Sequence, residues 1–288
     1  MSAGEHARQS AIMTTVIDAN NKWWRIDFRE IWEYRNLVSL FAGRSLATMY
    51  KQSMLGPVWF IIQPFMMAMV FYVVFGLLIN LSTGGMPHML FYMSGMIFWF
   101  LFVNVFQRTS VSLIENARLY GKIYFPRLVL PLSYMVTAAV LFCLNLFVLV
   151  LFYLFYRMKG VPIAVGPLVL LTPVLVLQVV VTGLAFGLCI AAATVRFRDV
   201  GYLLPTLIQF WMFSTPIFYS SQSVTPRMKR LLWCNPVAAP LECFRYAFSG
   251  MNPVGWQAFV PGVLLTLVVL VVGFFWFNKA QRDFIDVV

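Results

Sequence analysis

The chain has 288 residues, 61% hydrophobic and only 11% charged, with 21 Lys and Arg against 10 Asp and Glu for a net charge of +11. Soluble domains are about half apolar and about a quarter charged, so a soluble globular protein is excluded; an aromatic share of 17% excludes a disordered one. In so apolar a chain, the basic excess points to loops held against an anionic leaflet, not to a nucleic-acid surface.

Residues 1–28 contain no apolar core of the kind a cleavable signal peptide needs, so the expectation is that the first span directs insertion itself. Residues 29–50 read as an amphipathic helix. Trp32, Tyr34, Leu37, Val38, Phe41 and Leu46 recur at three- and four-residue steps, with Arg29, Glu30, Glu33, Arg35 and Arg44 between them. Such a helix lies in the interface plane with its bases near headgroups. A plain membrane anchor accounts for the same pattern. Gly56-Pro57 then breaks the helix, with proline placed where a first-turn proline is tolerated. This corner presents Lys51, Gln52, Ser53 and Gly56 at headgroup depth, where donors can meet phosphate; a simple corner is the alternative.

A helix needs about 20 apolar residues to cross about 30 Å of hydrocarbon. Nothing between Lys51 and Arg108 is charged, and that stretch holds two spans, 58–79 and 89–107, divided by a polar turn at 80–88. Further spans are predicted at 128–156, 166–195, 200–218 and 256–278. The runs are continuous and not alternating, which predicts an all-α membrane fold of six helices and not a β-barrel. With the N-terminus inside, fifteen of the 21 bases fall on the cytoplasmic side, which puts both termini in the cytoplasm.

Between spans 2 and 3, Ser112 and Glu115 fit a capping box, which predicts a short cytoplasmic helix at 112–120 ended by Gly121. Its mixed surface, with Glu115, Asn116, Arg118, Leu119 and Lys122, suits docking to a soluble partner; a solvated loop is the alternative. The turn at 196–200 reads as stop-transfer bases with a capping Asp199. Between spans 5 and 6, prolines punctuate two short amphipathic pieces, 228–233 and 241–248, which predicts re-entrant or surface helices on the external face. Cys234 and Cys243 lie there and read as free buried thiols, with a disulfide as the alternative.

No charged residue falls inside the six spans, which argues against an ion-coupled transporter and against an intramembrane hydrolase. Glu242 is the one external carboxylate. Two His and four Cys build neither a His-rich metal site nor a disulfide scaffold, so no metal is expected. No G-x-x-x-x-G-K-[ST] occurs, so ATP-driven work needs another polypeptide.

From about residue 30 to 285 the chain resembles the membrane subunit of ABC-2-type polysaccharide exporters, the family exporting O-antigen, capsule and teichoic acid. The resemblance rests on residues 32–35 and 50–59, then Phe125-Pro126-Arg127, Arg196 to Asp199, Thr215 to Tyr219 and Asn235-Pro236, in that order around six spans. Ser45 departs from it, since the family often has an acid after the base. The resemblance implies a homodimer with two copies of a cytoplasmic ATPase, with ATP and Mg on that partner and no cofactor on this chain. It also implies a lipid-linked glycan substrate, the helix at 29–50 as a gate, the helix at 112–120 as a coupling helix, and no catalytic residue. A polymer longer than the bilayer is thick must thread through a channel, whose lining is expected to be uncharged and aromatic. Trp59, Phe60 and Gln63 of span 1, with Gln209, Trp211, Phe213, Phe218 and Tyr219 of span 5, are the candidates; rings facing lipid are the alternative. An ABC-2 exporter of another lipid or drug, and a membrane transferase acting on lipid-linked sugars, are the competing functions.

Overall fold

The computed structural model describes residues 28–51, 56–122, 125–197, 199–250 and 254–285, and among them every regular element is helical. Two short helices come first, α1 (Phe28–Glu33) and α2 (Arg35–Lys51), separated at Tyr34. The long helices are α3 (Trp59–Phe71), α4 (His88–Glu115), α6 (Val129–Met158), α7 (Thr172–Arg196) and α11 (Phe259–Ile285). The shorter ones are α5 (Ala117–Tyr120), α8 (Asp199–Ser214), α9 (Pro226–Trp233) and α10 (Ala238–Ser249). Among the described residues, five stretches are long and apolar enough to cross a membrane: Trp59–Leu78, His88–Glu115, Val129–Met158, Pro167–Arg196 and Trp256–Gln281.

The predicted fifth span, 200–218, is not a full-length helix. α8 has 16 residues, about 24 Å at 1.5 Å per residue, against a core of about 30 Å. It stops before Thr215-Pro216, where proline removes a backbone donor. The first span is continuous but changes character: Tyr72–Leu78 winds as a π-helix, whose exit is marked by the Ile79 amide donating to the Val74 carbonyl at 3.1 Å.

Successive helices among α3, α4, α6, α7, α8 and α11 reverse direction. The turns 79–87 and 159–166 and the segment 215–255 gather at one end of the bundle, where the Gly166 amide meets the Ala247 carbonyl at 2.8 Å. The loop 116–122 and α2 gather at the other, where Arg108 donates to Ser45 Oγ at 2.7 Å. These are the first and second ends below.

α4 is the axis of the subunit, buried along most of its length, whereas α3 and α11 are peripheral. α7 packs parallel to α4 at backbone contact. A Cβ on Gly183 would meet Val105 Cβ at 2.9 Å, and one on Gly187 would meet Thr109 Cβ at 2.6 Å. Gly183 and Gly187 form a small-x-x-x-small pair, the device that lets membrane helices approach without a side chain between them. On its opposite side α7 meets α11 through hydroxyls: Gln178 donates to Thr266 at 3.1 Å, and Thr182 and Thr266 share a bond at 3.0 Å. Such bonds contribute about 0.6 kcal/mol each in lipid.

Candidate functional site

The segment between α8 and α11 folds back into the bundle at the first end. α9 carries the first of the two predicted amphipathic pieces. α10 holds the second; it is buried along its length and packs against α4 and α7, so it does not lie on the surface of the bundle. Its two charged residues are tolerated at that depth because they are paired. Arg245 donates to Glu242 Oε1 at 3.1 Å, to the Ile217 carbonyl at 2.8 Å and to the Pro216 carbonyl, while its guanidinium lies 3.7 Å from the Phe91 ring centre. Ser221 donates to the other Glu242 oxygen at 2.8 Å. Arg245 is one of the six bases that the charge count leaves on the external side; it is 3% exposed at the side chain and paired. The signal was present as opposite charges three residues apart in an otherwise apolar stretch, the spacing of one helical face. Gly95 on α4 makes room, since a Cβ there would lie 2.3 Å from the Arg245 guanidinium. Cys243 is buried and Cys234 exposed, and both are free thiols, so burial holds for only one of them.

The channel candidates separate into two groups. Trp59, Gln63, Gln209 and Phe213 are exposed on the subunit, and Phe60 and Tyr219 are half-buried. Trp211 and Phe218 turn inward. Trp211 stands 4.7 Å from both Phe102 and Phe186 by ring centres and donates Nε1 to Asn235 at 3.2 Å. Phe218 is 4% exposed and meets Phe71 at 4.6 Å, Phe75 at 5.2 Å and Phe213 at 5.4 Å. These two rings are core packing in this subunit. The Phe218 cluster nonetheless joins the first-end portions of span 1 and α8, so the two candidate walls are neighbours.

α8 is held by one edge only. Leu204 is its one buried residue, while Tyr202, Leu203, Phe210 and Phe213 are more than half exposed, alongside Gln209 and Thr206.

At the second end the predicted helix at 112–120 takes a different form. α4 continues unbroken to Glu115, so Ser112 is an interior helical residue, buried and with its hydroxyl unpartnered among the described residues. No capping box forms, because there is no helix start for it to cap. Asn116 is the break: its φ of −104° leaves the helix, and Nδ2 donates to the Ser112 carbonyl at 2.9 Å and to the Tyr134 hydroxyl at 3.1 Å. Glu115, Arg118 and Lys122 are exposed around this corner. Leu119 faces inward, packing with Tyr34, Leu37, Val38 and Phe41 against Phe125, Val129 and Leu130. The amphipathic helix therefore docks on α6 and the 116–122 corner through its apolar stripe, while Trp32 stands 69% exposed off that stripe. Tyr120 donates to the Arg127 carbonyl at 3.4 Å, and burial pushes its phenol well up from the ordinary value, so it stays a neutral donor.

Lys51 is exposed at the end of α2, and Gly56 adopts a φ of +53°, which glycine enters without a Cβ penalty. Gln52 and Ser53 lie outside the described residues.

A family model described as "ABC-2 type transporter" matches residues 36–249. The chain is 28% identical over 263 residues to the O-antigen export system permease protein RfbA of Klebsiella pneumoniae, covering 88% of this chain and 95% of that protein. It is 27% identical over 224 residues to the O-antigen export system permease protein RfbA of Myxococcus xanthus, covering 76% and 83%.

Proposed function

This chain belongs to the ABC-2 type transporter family, and we propose that it is the permease subunit of an exporter that moves an O-antigen-type, lipid-linked glycan across the bacterial inner membrane. The names of its relatives support the cargo. The chain carries no P-loop, so a separate cytoplasmic ATPase, present in two copies with its own ATP and Mg, drives the cycle. Most bases fall at the second end, which supports a cytoplasmic second end, cytoplasmic termini and an external first end.

The observation that carries the reading is the bare face of α8. A half-length helix that exposes aromatic rings beside Gln209 and is held by one edge suits a wall that a second copy completes. In that homodimer, α8 and the first span face each other across the axis. Trp59, Gln63, Gln209 and Phe213 offer the uncharged, ring-bearing lining along which sugars slide. Trp211 and Phe218 support that wall from behind. Lys51 and the Gly56 corner, with Gln52 and Ser53, meet the carrier's phosphates at the cytoplasmic leaflet, Lys51 as a point charge. Glu115, Asn116, Arg118, Leu119 and Lys122 take up the motion of the ATPase.

The test is single-cysteine labelling at 59, 63, 209 and 213 in a cysteine-free background, with an aqueous thiol reagent applied during active export. All four are expected to react, and 211 and 218 to stay protected. Protection of all four beside a labelled control at Ser82 would place the conduit elsewhere.

A further inference from the structure

At the first end a cleft of about 740 Å³ opens between α9, α10 and the start of α11. That volume is in the range of small-molecule sites. Lys229, Arg230 and Trp233 of α9 line one side, Gln222 and Tyr246 the floor, and Gln257 the far wall. Among the described residues neither Lys229 nor Arg230 has an ion-pair partner. The carboxylate of the neighbouring α10, Glu242, is already held by Arg245 and Ser221. A lone base in the last turn of a surface helix is ordinary. Two unpaired bases beside an indole and two amides in one concavity are a recognition set.

We propose that this cleft binds an acidic sugar. The indole of Trp233 offers a flat apolar face to a pyranose ring. Lys229 and Arg230 offer charge-assisted donors to a carboxylate or phosphate on that ring. Gln222 donates Nε2 to the Tyr246 hydroxyl at 3.1 Å, which fixes its amide and leaves its carbonyl oxygen to accept from a sugar hydroxyl. Gln257, exposed on the far wall, supplies both a donor and an acceptor. A phospholipid headgroup would suit the bases and an interfacial indole, but its phosphate only accepts and leaves the amide oxygens of Gln222 and Gln257 without a donor, so the set favours the sugar with its hydroxyls. The proposal rests on the preceding reading only in placing this cleft outside the membrane, where an emerging glycan end passes it.

The test is binding, without transport. The complex of permease and ATPase subunits, in nanodiscs of phosphatidylcholine, is titrated with oligogalacturonate and with a maltooligosaccharide of equal length, following tryptophan fluorescence. Saturable quenching by oligogalacturonate is expected, lost in Trp233→Phe. The double variant Lys229→Gln/Arg230→Gln is expected to bind about tenfold more weakly or worse, and the neutral oligosaccharide more weakly than the acidic one. No saturable response, or equal affinity in the double variant, would overturn the proposal. So would a Trp233 response to phosphatidylglycerol in the disc without one to oligogalacturonate, which would assign the cleft to a lipid headgroup. An export assay that fails leaves this result standing, and the reverse holds as well.

Discussion

Replacing Glu242 with Gln is expected to lower stability by about 3 kcal/mol or more, although the new side chain has nearly the same shape. Glu242 and Arg245 are 1% and 3% exposed and 3.1 Å apart. With an effective dielectric of about 20, two unit charges at that separation attract by about 5 kcal/mol. The amide keeps a hydrogen bond but removes the charge, and the guanidinium is left buried with two carbonyls and a ring face as its neighbours. Removing one partner of a buried pair costs about 3–5 kcal/mol in measured cases, mainly from the charge left behind. Arg245→Met in the same background relieves that charge, so the double variant should lose clearly less than the sum of the singles. Thermal unfolding of the purified protein in detergent, compared across wild type, both singles and the double, reads the coupling. A wild-type Tm for Glu242→Gln, or additive single effects, would refute the argument that the pair is what permits α10 to sit so deep.

Gly187→Val is expected to force α4 and α7 apart, because even a Cβ at 187 meets Thr109 at 2.6 Å; the cost is about 1–3 kcal/mol. Membrane abundance and Tm should both fall, more than for Gly187→Ala, and unchanged values would contradict the close approach. Ser45→Asp should strengthen the bond from Arg108 by about 1 kcal/mol by turning a charge-assisted bond to a neutral hydroxyl into an ion pair. An identical Tm gain in an Arg108→Gln background would show that the partner is another group. Glu115→Ala with Arg118→Ala should uncouple ATP hydrolysis from export while the protein still inserts. Full export with normal stimulation of the ATPase would remove the 115–122 corner from the coupling path.

The spans were legible because lipid imposes a length and forbids charge, so 58–79, 89–107 and the later runs stand out between bases. The reading failed where that rule does not apply. Beyond Asp199, α8 is charge-free like its neighbours, but composition carries no information about where Pro216 halts a helix. Ser112 and Glu115 satisfy a start signal by spacing alone, yet an uninterrupted apolar helix overrides it. Glu242 and Arg245 were placed outside the membrane because a single charge cannot lie deep, and the exception is a pair whose guanidinium also donates to two carbonyls of a distant turn. The Gly183 and Gly187 spacing was visible in the chain; the partner it admits was not. For the candidate lining, periodicity identified aromatic residues but not their inward or outward sense, and Trp211 and Phe218 turn inward partly through Phe102 and Phe71, each more than a hundred residues away in sequence.

The parallel course of α4, α7 and α11 has an electrostatic consequence. Their macrodipoles point the same way, so partial negative charge from three carbonyl ends collects at the second end, offset in part by the amino ends of the antiparallel helices α3, α6 and α8 that pack against α4. Arg196 closes α7, and Arg127 donates to the Gln281 carbonyl near the end of α11. Lys279 lies in the same turn as Gln281. These cations thus answer a field that the protein itself creates, in addition to the charge of the lipid. The basic excess at this end should therefore be needed even in a bilayer made wholly of neutral lipid, which a stability comparison of Arg127→Gln in phosphatidylcholine discs can measure.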